Sequence, residues 1–200
     1  MSKTTLLLLT LAGAMLLAQP VFADSSPGRD PLVARAVAYL DTLNDVKGPF
    51  RQTDPRGDVA TGTLWLARPG RARFQYDPPS GMLITSDGRS VFISDPQLKT
   101  LQRTPLGATP LAVFLADHIR LDRGARIVRV DRSEGGFSIT ANDARGLSQG
   151  DLTLYFGDDP IRLEGWAIRD GAGRVTRVSL GPLTTVAPPP ASLFTQSRPG

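Results

Sequence analysis

The chain has 200 residues, 40% of them hydrophobic and 21% charged, with a formal net charge of +4 and no cysteine. That length suits about one domain with a respectable core. The absence of thiols excludes disulfides, thiolate metal sites and attachment of lipid to a cysteine. Residues 1–23 read as an export signal: Lys3 gives a short positive start, residues 6–17 an apolar run, and Val21-Phe22-Ala23 a small-residue cleavage site. The segment lacks a stop-transfer flank and is too short to span a membrane comfortably. Cleavage after Ala23 would delete Lys3 and leave a formal +3 on a soluble domain over 24–200. Such a domain is destined for a bacterial periplasm, away from nucleic acid.

Asp30-Pro31 opens a helix, with aspartate at the cap and proline at the first helical position, where its missing N–H costs nothing. Leu32, Ala36, Tyr39, Leu40 and Leu43 recur at helical spacing and predict one buried face. Residues 44–47 end this helix before Gly48-Pro49, and 50–53 begin a sheet. Period-two alternation then sets Leu64, Leu66 and Arg68 against Thr63, Trp65 and Ala67. Pro69-Gly70 stops that strand. Alternation resumes with Ala72, Phe74 and Tyr76 on one face, and Asp87-Gly88 turns a hairpin between 82–85 and 91–94. A short strand follows at 98–103. Thr109-Pro110 is a second cap-plus-proline start, and Leu111, Phe114 and Leu115 give the short helix after it an apolar side that needs a surface beneath it. Strands return at 126–130, 137–141, 151–156, 161–168 and 174–180, separated by Gly/Asp/Pro turns. The proline-rich stretch 182–190 runs extended, and Phe194 re-anchors it. This pattern predicts an α+β fold: a large curved antiparallel sheet with helices on one side.

Several short motifs occur in a fixed order along the chain: Phe50-x-Gln52, Gly62-x-Leu64-Trp65, Arg68-Pro69-Gly70, Phe74-x-Tyr76-x-x-Pro79, Ser86-Asp87-Gly88, Thr109-Pro110 and Gly165-Trp166-x-Ile168-x-Asp170. In that order and spacing they resemble the LolA-like family of periplasmic outer-membrane lipoprotein carriers. The resemblance implies an incomplete, open β-barrel whose concave apolar cavity is covered by helices and takes up the acyl chains of a lipoprotein. It implies a monomer with two partners, an inner-membrane ABC lipoprotein transporter and an outer-membrane receptor lipoprotein, and neither cofactor nor metal. Phe50, Leu64, Leu66, Ala72, Phe74 and Tyr76 become candidates for the acyl-chain cavity. Pro110, Leu111, Phe114 and Leu115 become the lid helix. Arg68, which on alternation alone is a strand-end arginine that snorkels to water, becomes a lid latch that hydrogen-bonds to the backbone of the helix starting at Thr109-Pro110. Ala72 departs from the family, which often carries a bulky cavity-facing residue there.

Other chemistry is weakly supported by the residues. His118, the one histidine, lacks a Gly-x-Ser-x-Gly elbow to supply a nucleophile, so a serine hydrolase is the remote alternative. Asp158-Asp159, and Asp131 with Glu134, lack the spacing of a calcium loop and read as turn residues. Arginines 120, 123, 126, 129 and 132 recur every third residue, which on a regular strand alternates faces. They read as a solvated surface paired with Asp122, Asp131 and Glu134, or as a docking surface for acidic partners or anionic headgroups. A carrier of another lipid and a lipid-sensing regulatory module remain the alternatives to a lipoprotein carrier.

Overall fold

The computed structural model describes residues 27–109, 111–117, 125–143 and 150–195. The export signal, Pro110, His118, Arg120, Asp122 and Arg123 therefore lie outside the described residues. Helix α1 (Pro31–Leu40) is followed by strands β1 (Asp45–Thr53), β2 (Val59–Ala67), β3 (Arg71–Tyr76), β4 (Leu83–Asp87), β5 (Ser90–Asp95) and β6 (Thr100–Pro105). After the one-turn helix α2 (Leu111–Phe114) come β7 (Ala125–Ser133), β8 (Gly136–Asp143), β9 (Gly150–Asp158), β10 (Ile161–Asp170), β11 (Val175–Leu180) and the short β12 (Thr184–Thr185).

All the strands join one antiparallel sheet in the order β6-β5-β4-β3-β2-β1-β11-β10-β9-β8-β7, with β12 beside β1. The two meanders meet where β1 pairs β11, and β6 and β7 remain as edges, so the barrel is open. Alternation works as the sequence predicts. Leu64, Leu66, Ala72, Phe74 and Tyr76 face inward with Phe137, Ile139, Leu154, Phe156 and Trp166, and α1 lies on this inner face through Val33, Ala36 and Leu40. Burying each large aliphatic side chain of that helix contributes about 1.5–3 kcal/mol, which is what holds so short a helix in place. Asp30 caps it, accepting Leu32 N–H at 2.9 Å, and also pairs with Arg132 of β7 at 3.0 Å.

Four local expectations are corrected. The first helix ends at Leu40, and β1 starts at Asp45, straight through Gly48-Pro49. The Pro49 carbonyl accepts Gly181 N–H at 2.9 Å, so the side of Pro49 that lacks an N–H faces the break between β11 and β12, where a ladder bond is not needed. The strand placed at 98–103 runs instead over Thr100–Pro105, because the Asp95 carboxylate ties Gln97 and Leu98 N–H into a turn. Thr109 does not cap α2 with its side chain; its hydroxyl donates back to Leu106 O at 2.8 Å. Finally, β7 carries a bulge between Ile127 and Arg129. The extra residue puts Arg126 and Arg129 on the same face despite their spacing of three.

The sheet's outer face is partly covered by the chain's own end. The 3₁₀ turn Ala191–Phe194 packs on β3 and β4, with Phe194 buried, its ring 5.4 Å below the Arg71 guanidinium, and Arg73 donating to Leu193 O at 3.0 Å. Trp65 is also on this face, with Lys47 Nζ 4.9 Å from its ring centroid.

Candidate functional site: an apolar interior and its buried arginine

Arg68 follows β2 directly, and its side chain is only 2% exposed. The turn that holds it is fixed from two sides. Gly70, at φ +78, lies so close to Gly88 that an added Cβ would come within 2.6 Å of the Gly88 Cα. Ser86 Oγ donates to Gly70 O at 2.7 Å, so the Arg-Pro-Gly and Ser-Asp-Gly motifs are two halves of one packed corner. Asp87 closes the second half by accepting Arg89 and Ser90 N–H, both at 2.8 Å. Burial alone pushes the Asp87 carboxyl up, but these backbone donors outweigh it and hold it below its ordinary value.

The guanidinium reaches both helices at once. Nη1 donates to Leu40 O at the end of α1, while Nη2 and Nε donate to Ala116 O, just past α2, at 2.7 and 3.2 Å. Nη2 also approaches Asp41 Oδ1 and Asp117 O, both at 3.4 Å. Helix ends carry carbonyls without intrahelical partners and a partial negative charge. Neither α1 nor α2 has a basic residue in its own last turn, so Arg68 supplies that cation from the sheet. Gly70 N–H adds a backbone bond to Leu115 O at 2.7 Å.

The six cavity candidates and α2 converge beneath this corner. Phe50 meets Phe74 and Tyr76 edge-on, with centroids 5.7 and 4.9 Å away, and Phe74 meets Trp166 at 6.0 Å. Gly62 makes room for this stack, since a Cβ there would sit 2.8 Å from the Phe50 ring. From the lid side, Phe114 reaches Trp166 at 5.9 Å, and Phe114 and Leu115 are buried while Leu111 is half-buried. Leu64, Leu66 and Ala72 complete the buried wall. The cleft between α2 and the second meander, lined by Leu111, Phe114, Leu152, Leu154, Trp166 and Ile168, holds about 10 Å³, roughly the room one water needs. An apolar chain can enter this cleft only if α2 moves.

Sequence reasoning left part of this site unassigned. Trp166 and Ile168 stood in a quoted motif but received no role, and Leu152 and Leu154 were read only as strand. Their alternation with Asp151, Thr153 and Tyr155 marked the inward face; what the sequence lacked was the pairing that sets β9 and β10 against α2. The α1 half of the Arg68 contacts also went unforeseen, because the backbone carbonyl of Leu40 leaves no trace in a side-chain pattern.

Tyr76 brings a hydroxyl into the aromatic stack. Its hydroxyl donates to Gln52 Oε1 at 2.8 Å, and burial pushes the phenol up to about 12. The folded state favours the neutral phenol, so this stability is complete below the unfolded value near 10 and is lost as pH rises toward 12, at up to about 1.4 kcal/mol per pH unit. In an ultraviolet titration, one of the three tyrosines should ionise near pH 12, and that late step should vanish in Tyr76→Phe. A late step that survives the substitution would mean the phenol is not held inside.

With the interior described, the relatives can be placed beside it. Residues 41–197 match the family model described as outer membrane lipoprotein carrier protein LolA. The chain belongs to the LolA family. The outer-membrane lipoprotein carrier protein of Chromohalobacter salexigens is 27% identical over 195 residues, covering 92% of this chain and 90% of that one. That of Bordetella avium is 27% identical over 192 residues, covering 90% and 88%. Among solved structures, a DUF1329 family protein from Desulfovibrio piger shares the fold at 12% identity, with a TM-score of 0.50 over 81% of this chain and 94% of that one. The family is named for carriage of lipoproteins, in keeping with an apolar interior, and no helix among the described residues is long and apolar enough to cross a membrane.

Proposed function

We propose that this LolA-family protein is a periplasmic chaperone that takes the acyl chains of lipoproteins between its sheet and its two helices. It carries them from the inner to the outer membrane, loaded by an ABC transporter and unloaded to a receptor lipoprotein. Residues 1–23 direct export, and the chain after Ala23 forms one carrier domain. Phe50, Leu64, Leu66, Ala72, Phe74 and Tyr76 are the wall against which the chains lie. Leu111, Phe114 and Leu115 are the lid, and Arg68 is its latch. The small side chain of Ala72 gives the chains room beside Leu66, which lies opposite it in the register.

The observation that carries this reading is that one buried guanidinium bonds the ends of both covering helices to the sheet. Each buried CH₂ of an acyl chain gains about 0.8 kcal/mol, so a permanently open cavity would hold several chains too tightly to release. Hydrogen bonds to a charged group, worth about 1.5–3 kcal/mol, favour the closed state and tax binding by the cost of opening. Cargo then passes between partners on affinity differences alone, with no covalent step.

The test is mass spectrometry of lipid and lipoprotein co-purified from the periplasm with wild type and with Arg68→Leu. Triacylated lipoproteins should accumulate on the variant. Free lipids alone, equal on both proteins, would overturn both the cargo and the latch.

A further inference from the structure

The second meander has another face, turned away from the interior. Thr153 lies between Leu152 and Leu154, and Ala167 between Trp166 and Ile168, so alternation points both outward. With Thr140 they floor a trough of about 680 Å³. The register makes this one straight row across five strands, Arg177–Ala167–Thr153–Thr140–Arg129, from β11 to β7. Its floor is small and self-satisfied: Thr140 and Thr153 share a hydrogen bond at 3.0 Å, and Ala167 adds nothing polar. An arginine stands at either end. The β7 bulge is what turns Arg129 to this side.

The charges around the trough are not balanced internally. Arg177 has no hydrogen bond or ion pair among the described residues, and Arg169 reaches only the Gly173 carbonyl, at 3.3 Å. Asp151 faces Arg169 in the register without an ion pair, and Arg129 commits one N–H, Nε, to Asp131 at 2.8 Å in an exposed pair, which leaves its other donors. Guanidiniums bring several N–H donors each and accept nothing, so the rim calls for acceptors from outside. The walls include Tyr155, 37% exposed, which offers a ring and a hydroxyl to a bound chain. Because the arginines rise around a recessed floor, a flat bilayer surface meets the rim but not the row, whereas an extended chain can lie along it.

We infer that this outer trough is a docking site for an extended acidic segment of a partner protein, separate from the apolar interior. Four strand spacings of about 4.8 Å put the two row-end arginines about 19 Å apart, the reach of roughly six extended residues. The matching segment therefore carries carboxylates about six residues apart, an even spacing that keeps both on one face of the extended chain. It is read through side chains, since the ladders of β8, β9 and β10 are already paired on both sides.

Fluorescence anisotropy with the purified protein tests this, using a labelled decapeptide whose two glutamates are six residues apart, the same peptide with glutamines, and phosphatidylglycerol vesicles by flotation. The acidic peptide should bind, and the double variant Arg129→Gln/Arg177→Gln should weaken it by about tenfold without changing the thermal melt. Amide resonances of Thr153 and Ala167 should shift on binding. Equal binding of the glutamine peptide, binding untouched by the double variant, or arginine-dependent capture of vesicles without peptide binding would each overturn the inference.

Discussion

In Arg68→Leu, amide exchange at the end of α1 and through α2 should quicken by about 10- to 100-fold, while β1, β2 and β10 keep their protection. The estimate follows from losing charge-assisted bonds of about 1.5–3 kcal/mol, which act on a local opening rather than on global unfolding. Leucine removes the side-chain donor from both Leu40 O and Ala116 O, although Leu40 O keeps the Leu43 N–H at 3.1 Å. On the proposed latch role, opening is the tax on cargo binding, so the variant should hold a triacylated lipopeptide tighter by a similar factor, with the change in release rate. Arg68→Lys separates charge from geometry. A lysine ammonium is a point charge without the guanidinium's planar fork, so it should restrain one helix and give an intermediate result. Uniform loss of protection across the whole sheet would instead make Arg68 a general stabiliser.

Phe74→Ala should lower stability by about 3–5 kcal/mol, the usual cost of removing a buried aromatic ring. For a domain of this size that is a fall in melting temperature of about 10 °C. Phe74 is the hinge of the aromatic stack, touching Phe50 on one side and Trp166 on the other, so its loss uncouples the first meander from the second. The same substitution removes a ring packed on Trp166, beside a cleft that now has room for about one water. The variant should therefore take up a small apolar dye in its folded state more readily than wild type, although it melts earlier. A loss of stability with no gain in dye uptake would show that the wall simply collapses inward.

The two outcomes differ in how far the sequence announces them. Alternation over 63–76 placed the inward face of β2 and β3 correctly, because period-two burial is written directly in side chains, and the Asp87-Gly88 turn placed the hairpin of β4 and β5. Helix α1 was legible from Asp30-Pro31 and its apolar spacing. Its end was not, since the following residues are equally compatible with turn and strand until β2 provides a partner for Asp45–Thr53. Pro49 looked like a break and is tolerated only because its bare side meets a gap between two other strands. The β7 bulge was invisible for a related reason: nothing in Arg126-Ile127-Val128-Arg129 marks an extra residue, and only pairing with β8 reveals it. Arg68 shows the limit most clearly. Its apolar neighbours flagged it as unusual, and the family resemblance named one helix as its partner, but the second helix enters through a backbone carbonyl that no residue pattern encodes.

The protein carries its own reporters for the proposed entry of acyl chains between sheet and helices. Trp166 is buried in the interior against Phe74 and Phe114, whereas Trp65 lies on the outer face beside Lys47. Fluorescence of Trp65→Phe and Trp166→Phe, each titrated with a triacylated lipopeptide bearing brominated chains, reads the two faces separately. Strong quenching of Trp166 with Trp65 unaffected is the predicted result. Quenching of Trp65 alone, or of neither, would mean that acyl chains do not enter the space between sheet and helices.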